Sequence, residues 1–273
     1  MTSLNPVNFT PPEVGPINPC GLYAATTFVE TTAAEAARRW LPSGVLVGPI
    51  NYGTENGFGI WGAPWCVSPD DLDPEDIKTG TRPDHSEIVP WSGTTVYGFD
   101  RNLCGDEAME SPTAQVRAEV KARARRNLEM NEETAVSRQF GALLLAQAGT
   151  PTEVDDVVEA VGHVEQAFAA TGTAGLIHLR AGLLAVAEAA HLVIRDGAAL
   201  RSPAGHRYVF GGGYAAAPLG DTIIGTSPVF GWRDEIAQRD TMKHSTSEYI
   251  AIAERSVLVA TEALVAAAEI TSA

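Results

Sequence analysis

The stretch from about Pro112 to Ala148 constrains the fold most, because it has every local feature of one uninterrupted helix. Ser111 is expected to cap its N-terminus, and Pro112 suits the first helical position, where a missing N–H costs nothing. No proline interrupts it, and Gly149 is expected to end it. Its apolar side chains form only a sparse stripe, Val116, Val120, Leu128, Val136, Phe140 and Leu143. A helix with so narrow a stripe is expected to lie along a thin body rather than through the centre of a globule.

The remaining surface of this helix is densely charged. Five basic residues come first, Arg117, Lys121, Arg123, Arg125 and Arg126, and three acidic residues follow, Glu129, Glu132 and Glu133. No aromatic residues are interleaved with the basic ones to stack on bases. Two interpretations stay open: a solvated helical face balanced by its own acidic end, or a contact with an acidic segment of the next protomer.

Net charge and composition narrow the class of protein. The 273 residues carry a formal net charge of −15. This charge does not favour binding to nucleic acid, because contacts with phosphates need Lys and Arg. No apolar stretch reaches the length of a membrane helix, and the N-terminus lacks the basic start of a signal peptide. The chain is expected to be made in a cytoplasm and to remain there. Its three widely spaced cysteines are predicted to be reduced and mostly buried.

The first hundred residues look extended. Residues 1–20 are rich in proline and have no periodicity, which is typical of an arm that gains order only against a neighbour. Short β-like runs follow over residues 45–100, separated by Gly, Pro and Asp. An acidic excursion lies between them, with Asp70, Asp71, Asp73, Glu75 and Asp76. We interpret this region as a long projecting β-hairpin, whose acidic residues are either a solvated charge run or an intersubunit contact.

The second half alternates helices and strands. A capping box of Thr150 and Glu153 predicts a second helix with a valine stripe. Leu176–Leu179 is predicted as a buried strand and Ala181–Ala190 as a third helix. Short strands with a turn at Asp196-Gly197 come next, and a long closing strand ends the chain.

No pattern indicates catalysis, a cofactor or a metal. The triple glycine Gly211–Gly213 lacks the Lys-Ser/Thr pair of a phosphate loop and is predicted to be a tight turn. The six histidines show no metal-ligand spacing, and no serine has recognisable triad partners. Cys66 lies in an apolar run rather than among charged residues, so a thiol dyad with His85 is not favoured.

Ile177–Tyr214 and Ala253–Ala260, together with the long helix before them, resemble the major capsid proteins of tailed phages that infect actinobacteria. That resemblance implies an α+β fold of the Hong Kong 97 type, with an arm, an extended hairpin (E-loop), a peripheral domain with a long spine helix, and an axial domain. It assigns the chain as follows: arm 1–41, E-loop 42–100, peripheral domain with spine helix 101–149, axial domain 150–235, peripheral return strand 236–260 and axial C-terminal strand 261–273.

The resemblance also implies a function carried by surfaces, with no enzymatic activity. The expected protein is the major capsid protein of a tailed double-stranded DNA phage, assembled in the host cytoplasm as hexamers and pentamers of an icosahedral head. Its implied partners are other copies of itself, scaffold, portal or decoration proteins, and packaged DNA through weak contacts; no membrane is involved. Two alternatives are an encapsulin-type shell that encloses enzymes, and a soluble acidic enzyme without a recognisable site.

Overall fold

The computed structural model describes residues 18–30, 45–46, 52, 57–59, 61–73, 88–89, 94–102, 113–214, 219–246 and 248–271. The α-helices within these ranges are α1 Leu22–Ala25, α2 Ala114–Ala148, α3 Val157–Thr171 and α4 Leu184–Ala189. The strands are β1 Thr27–Glu30, β2 Val45–Leu46, β3 Ile88–Val89, β4 Thr94–Arg101, β5 Thr152–Val154, β6 Leu176–His178, β7 Ile194–Asp196, β8 Ala199–Arg201, β9 Arg207–Val209, β10 Thr222–Thr226, β11 Val229–Arg233, β12 Ala237–Lys243, β13 Glu248–Thr261 and β14 Leu264–Ile270. The α+β class predicted from the sequence is confirmed.

A five-stranded sheet is organised around the 14-residue strand β13. On one edge, β13 pairs antiparallel with β4. On its other edge, β11 and β12 follow one another along β13, and β1 adds to β11 as a parallel strand. Strands β11 and β4, predicted for the axial domain and the E-loop, both pair with β13 in this sheet. The domain bounds themselves stay a prediction.

Helix α2 lies across one face of this sheet and contacts β4 and β13. At its 35 residues it is about 52 Å long at 1.5 Å per residue. Its buried line repeats every fourth residue: Val120, Ala124, Leu128, Glu132, Val136, Phe140 and Leu144. The predicted stripe was right in most positions, but Leu143 is 37% exposed and its neighbour Leu144 is fully buried. Thr113 caps the helix by accepting a bond from the Val116 N–H; Ser111 and Pro112 lie outside the described residues.

A second sheet has seven strands in the order β5-β14-β10-β6-β9-β8-β7, and α3 packs on β14 and β10. The predicted capping box at Thr150 and Glu153 is wrong. Thr152–Val154 pairs with β14 instead, and the helix begins at Val157 with Asp156 as its cap. The Asp156 carboxylate accepts hydrogen bonds from the backbone N–H groups of Val158 and Glu159. A long-range strand pairing thus displaced the helix start that local sequence favoured. The third helix is also shorter than predicted, with a 3-10 turn over Ala181–Leu183 before α4.

Close backbone packing joins the second sheet to α2. The triple glycine forms the predicted tight turn, a single 3-10 turn over Gly212–Tyr214. A Cβ atom on Gly213 would overlap the Thr134 carbonyl oxygen and the Arg138 nitrogen of α2. Only glycine allows the turn to approach the helix this closely.

The region predicted as the E-loop is described at its two ends and over part of its length. Strands β2 and β3 pair antiparallel, with Val45 opposite Val89 and Leu46 opposite Ile88. Two distant segments therefore meet as the base of a hairpin, as the sequence predicted. Of the N-terminal arm, residues 1–17 lie outside the described residues.

His178 is buried where α2 meets the second sheet. Its Nδ1 lies 3.0 Å from the Tyr214 hydroxyl and its Nε2 lies 2.8 Å from Thr226 Oγ1. The edge of the Phe140 ring packs against it. Burial lowers the pKa of His178 to about 3. The ring is therefore neutral and structural, which agrees with its predicted role.

The buried histidine predicts a pH dependence of stability. Below pH 6.5 the unfolded chain binds a proton at His178 that the folded chain refuses until about pH 3. The free energy of unfolding should therefore fall by about 1.4 kcal/mol per pH unit below 6.5. Urea unfolding at pH 4 to 8 checks this, with His178→Gln as the non-titrating control. A difference between the two proteins that does not change from pH 7 to pH 5 would contradict it.

Candidate assembly interface

The acidic residues predicted for an intersubunit contact lie in the region predicted as the E-loop. Pro69–Asp71 forms a 3-10 turn, and Asp70, Asp71 and Asp73 are all exposed. Glu75 and Asp76 lie outside the described residues. Two exposed carboxylates thus lie in this turn and the third, that of Asp73, follows it two residues later.

The basic residues of α2 have partners within the same chain. Lys121 Nζ lies 2.7 Å from an Asp240 oxygen of β12, and Arg123 Nε lies 2.7 Å from an Asp100 oxygen of β4. Arg125 pairs along the helix with Glu129 at 2.8 Å. The first two pairs connect α2 to strands on both sides of β13, and the third lies within the helix.

The other basic residues are also engaged locally. The Arg117 guanidinium lies 6.0 Å from the centre of the Tyr249 ring, and Arg126 is half-buried. Near Tyr249, the hydrogen bond from Lys121 lowers the pKa of the Asp240 carboxyl. Solvent screens exposed charge pairs, so these pairs are expected to add little to the stability of the subunit. Contact with the acidic turn of a neighbour stays a prediction.

Several large apolar side chains on the E-loop are exposed. Phe58 is 77% exposed, Trp61 44% and Trp65 fully. Cys66 is exposed as well, and Cys20 is half-buried. The prediction of buried thiols is therefore wrong at Cys66. The apolar run around it does not fold into a core; instead it presents aromatic surface.

Sequence reasoning missed a buried charge pair between α2 and β13. Arg255 donates to both carboxylate oxygens of Glu132, at 2.6 and 2.5 Å, and the Glu132 side chain is only 3% exposed. The Tyr23 hydroxyl donates to the same carboxylate at 3.0 Å. Burial, together with the adjacent negative charge of Glu132, raises the pKa of Tyr23. Glu132 had been read as part of a solvated acidic face, although its place in the four-residue spacing of buried positions was a signal.

Glu133 docks the N-terminal segment on α2. Its carboxylate accepts the backbone N–H of Tyr23 at 3.2 Å and also bonds the Leu22 N–H. Helix α1 has no capping side chain of its own, so Glu133 supplies that cap. Burial raises the pKa of Glu133, and these two backbone bonds oppose the rise.

A second ion pair continues this network to β1. Arg233 of β11 binds Glu30, and its guanidinium stacks 4.7 Å from the centre of the Phe28 ring. A cleft of about 380 Å³ lies between the two pairs and includes Asn18. Each acidic and basic side chain that lines this cleft is an ion-pair or capping partner. The arrangement can position the N-terminal segment.

Two further properties apply to the described part of the chain. No helix there is both long and apolar enough to cross a bilayer. Groups of three or more His, Cys, Asp or Glu side chains that could hold a metal ion are also absent from that part.

Comparison with known proteins gives similarity of structure only. No family model matches the chain, and no curated protein matches its sequence. Among solved structures, it is similar to the capsid of a native GTA particle, with 11% identity, 99% of this chain and 96% of that chain covered, and a TM-score of 0.49. It is also similar to the mature capsid of bacteriophage PhiM1, with 10% identity, 98% of this chain and 92% of that chain covered, and a TM-score of 0.49. A third similar structure is the holo-SrpI encapsulin complex of Synechococcus elongatus PCC 7942, with 11% identity, 68% of this chain and 76% of that chain covered, and a TM-score of 0.44.

Proposed function

We propose that this chain is a shell-forming subunit, the major capsid protein of a tailed double-stranded DNA phage. Many copies would assemble as hexamers and pentamers into the icosahedral head that encloses the genome. The protein acts through its surfaces, and the proposal assigns it no catalytic residue or cofactor.

The observation that carries the proposal is the chain order of the described elements. A hairpin base (β2 and β3) leads through β4 into the long helix α2, a seven-stranded sheet follows, and β13 returns beneath α2 to pair with β4. This is the order of E-loop, spine helix, axial domain and return strand that the sequence resemblance implies. The exposed Phe58, Trp61 and Trp65 support the proposal as well, because patches of apolar surface mark contacts with other molecules.

Electron microscopy of the purified chain tests this function. Closed shells, or five- and six-membered capsomers, are expected when it is expressed alone or with a scaffold. Repeated contacts close into a shell only when their rotation and curvature match. A chain that stays monomeric under all these conditions would contradict the proposal. Shells that carry an enzyme cargo and no nuclease-resistant DNA would favour the encapsulin alternative.

The predicted contact between the acidic turn and α2 has its own test. Reversing Arg123, Arg125 and Arg126 to Glu should raise the protein concentration needed for assembly while the subunit stays helical. Adding Asp70→Lys, Asp71→Lys and Asp73→Lys to that triple variant should restore assembly if the two clusters meet. Light scattering measures assembly, and circular dichroism monitors the fold. Normal assembly of the triple Glu variant, or failure of the six-residue swap to restore it, would remove this contact.

A further inference from the structure

The turn between β8 and β9, residues 202–206, has a shape of its own. The Ser202 N–H donates to the His206 carbonyl at 2.8 Å, and the Gly205 N–H donates to the Ser202 carbonyl at 2.9 Å. Both bonds lie within the turn. Its position against the rest of the chain therefore depends on further contacts.

Two side chains hold the turn in place. Glu165 of α3 accepts the Ala204 N–H at 2.9 Å. His206 Nδ1 accepts the Gly175 N–H at 3.2 Å, and the ring stacks on that of Phe168 in α3, with 4.2 Å between the ring centres. His206 is only 7% exposed. A carboxylate thus attaches the turn to α3, and an imidazole attaches it to α3 and to the segment before β6.

The bond to Gly175 requires a neutral imidazole. A backbone N–H can only donate, so Nδ1 accepts with its lone pair and the ring proton lies on Nε2. A second proton would go to Nδ1, and two donors would then face each other. The hydrogen-bond geometry therefore favours the neutral ring while the turn is closed.

The surroundings of His206 favour the neutral ring as well. The charged groups that face the turn are Glu165 on α3 and Arg201 on β8, whose guanidinium donates to the Gly205 carbonyl at 2.9 Å; Arg207 follows His206 in β9. Of these three charges, that of Glu165 alone would stabilise an imidazolium. Burial lowers the pKa of His206, and the opposing effect of Glu165 is smaller.

A buried hydroxyl disfavours the closed turn. Ser202 is fully buried, and its Oγ has no hydrogen-bond partner among the described residues. An unsatisfied hydroxyl destabilises the state that buries it, because water would bond to it in the open state. The contacts of Glu165 and His206 hold the turn closed against this cost.

We infer that His206 is an acid-responsive latch, which holds residues 202–206 against Gly175 and α3 at neutral pH and releases them when the ring takes up a second proton. The direction follows from proton linkage. The open turn accepts a proton at the ordinary histidine pKa of 6.5, whereas the closed turn accepts it only at a lower pH. The closed turn is therefore fully favoured above pH 6.5 and loses stability as the pH falls below that value. This inference concerns a single chain and does not rest on the proposed shell function.

Amide hydrogen exchange on the full chain, kept unassembled, tests the latch at pH 7 and pH 5. Exchange rates are corrected for the intrinsic effect of pH on amides. The protection of the Gly175 and Ala204 amides should then fall at least about fivefold from pH 7 to pH 5.

His206→Asn is the matched control. The Asn Oδ1 can take the place of Nδ1 and accept the same N–H, but the amide group does not titrate. Protection of Gly175 and Ala204 in this variant should be the same at both pH values. Both proteins keep His178, so titration of that residue cancels in the comparison. Equal responses to pH in the two proteins would overturn the inference.

Nitrogen NMR of the histidine rings gives a readout that needs no variant. At pH 7 the His206 ring should carry its proton on Nε2, and the change to imidazolium should coincide with the loss of protection at Gly175. A proton on Nδ1 at pH 7, or an imidazolium that forms while Gly175 stays protected, would overturn the inference.

Ser202→Ala tests whether the closed turn is opposed by its buried hydroxyl. Removing the hydroxyl should slow exchange at the Ala204 amide about tenfold at pH 5. An unchanged rate would count against the latch, because the closed turn would then bury Ser202 at no cost.

Discussion

Replacing Arg255 by methionine is expected to lower the free energy of unfolding by about 3–5 kcal/mol. Glu132 is 3% exposed and receives both of its strong bonds from this guanidinium. Without Arg255 its carboxylate remains buried with only the Tyr23 hydroxyl as a described donor. The cost is the uncompensated buried charge, since methionine keeps most of the packing volume. Urea unfolding at pH 7 measures it.

Two control variants isolate this cause. Arg125→Met breaks the exposed pair with Glu129 on the same helix and should cost less than about 0.5 kcal/mol. The double variant Glu132→Met with Arg255→Met removes both charges and should recover most of the loss, since apolar pairs often replace buried ion pairs without cost. A single variant as stable as the unaltered protein would mean that Glu132 is solvated or protonated.

Gly98→Ala is expected to lower the free energy of unfolding by about 3 kcal/mol, the upper end of overpacking effects. Gly98 lies on β4 directly beneath α2. A Cβ there would overlap the Ala124 carbonyl oxygen and the Leu128 nitrogen. Both are backbone atoms of a long helix, so no side chain can rotate to make room. Helix and strand must separate, and the neighbouring core contacts weaken. Thermal and urea unfolding of the variant measure the effect.

Gly162→Ala is the matched control, because it adds the same methyl group at a glycine with open space. Gly162 lies inside α3, and nothing lies within 4 Å of its Cβ position. Alanine there should raise the free energy of unfolding by about 0.5–1 kcal/mol, since glycine destabilises a helix interior. The two substitutions thus have opposite expected signs. Destabilisation of similar size by both would show that contact with α2 is not the cause.

Local sequence determined the elements whose signals are short-range. The helix that ends at Gly149, the turn at Asp196-Gly197 and the long strand Glu248–Thr261 were all predicted from the residues they contain. Their capping, turn and periodicity rules act between neighbours a few residues apart, so the chain carries that information in one place.

Only the tertiary structure decided which local signal prevailed where two competed. Thr150 and Glu153 have the sequence pattern of a capping box. However, Thr152–Val154 pairs with β14, and the helix begins at Val157 with Asp156 as its cap. Cys66 has apolar neighbours in sequence, yet its side chain is exposed.

The candidate site was the part least readable from sequence. The basic residues of α2 were grouped from the sequence as one cluster, whereas the partners of Lys121 and Arg123 are Asp240 and Asp100, which come from two different strands. Glu132 was grouped with surface charge because its partner Arg255 lies 123 residues away. The sequence determines the charge of a side chain, whereas its ion-pair partner and its burial depend on which distant segments the fold brings together.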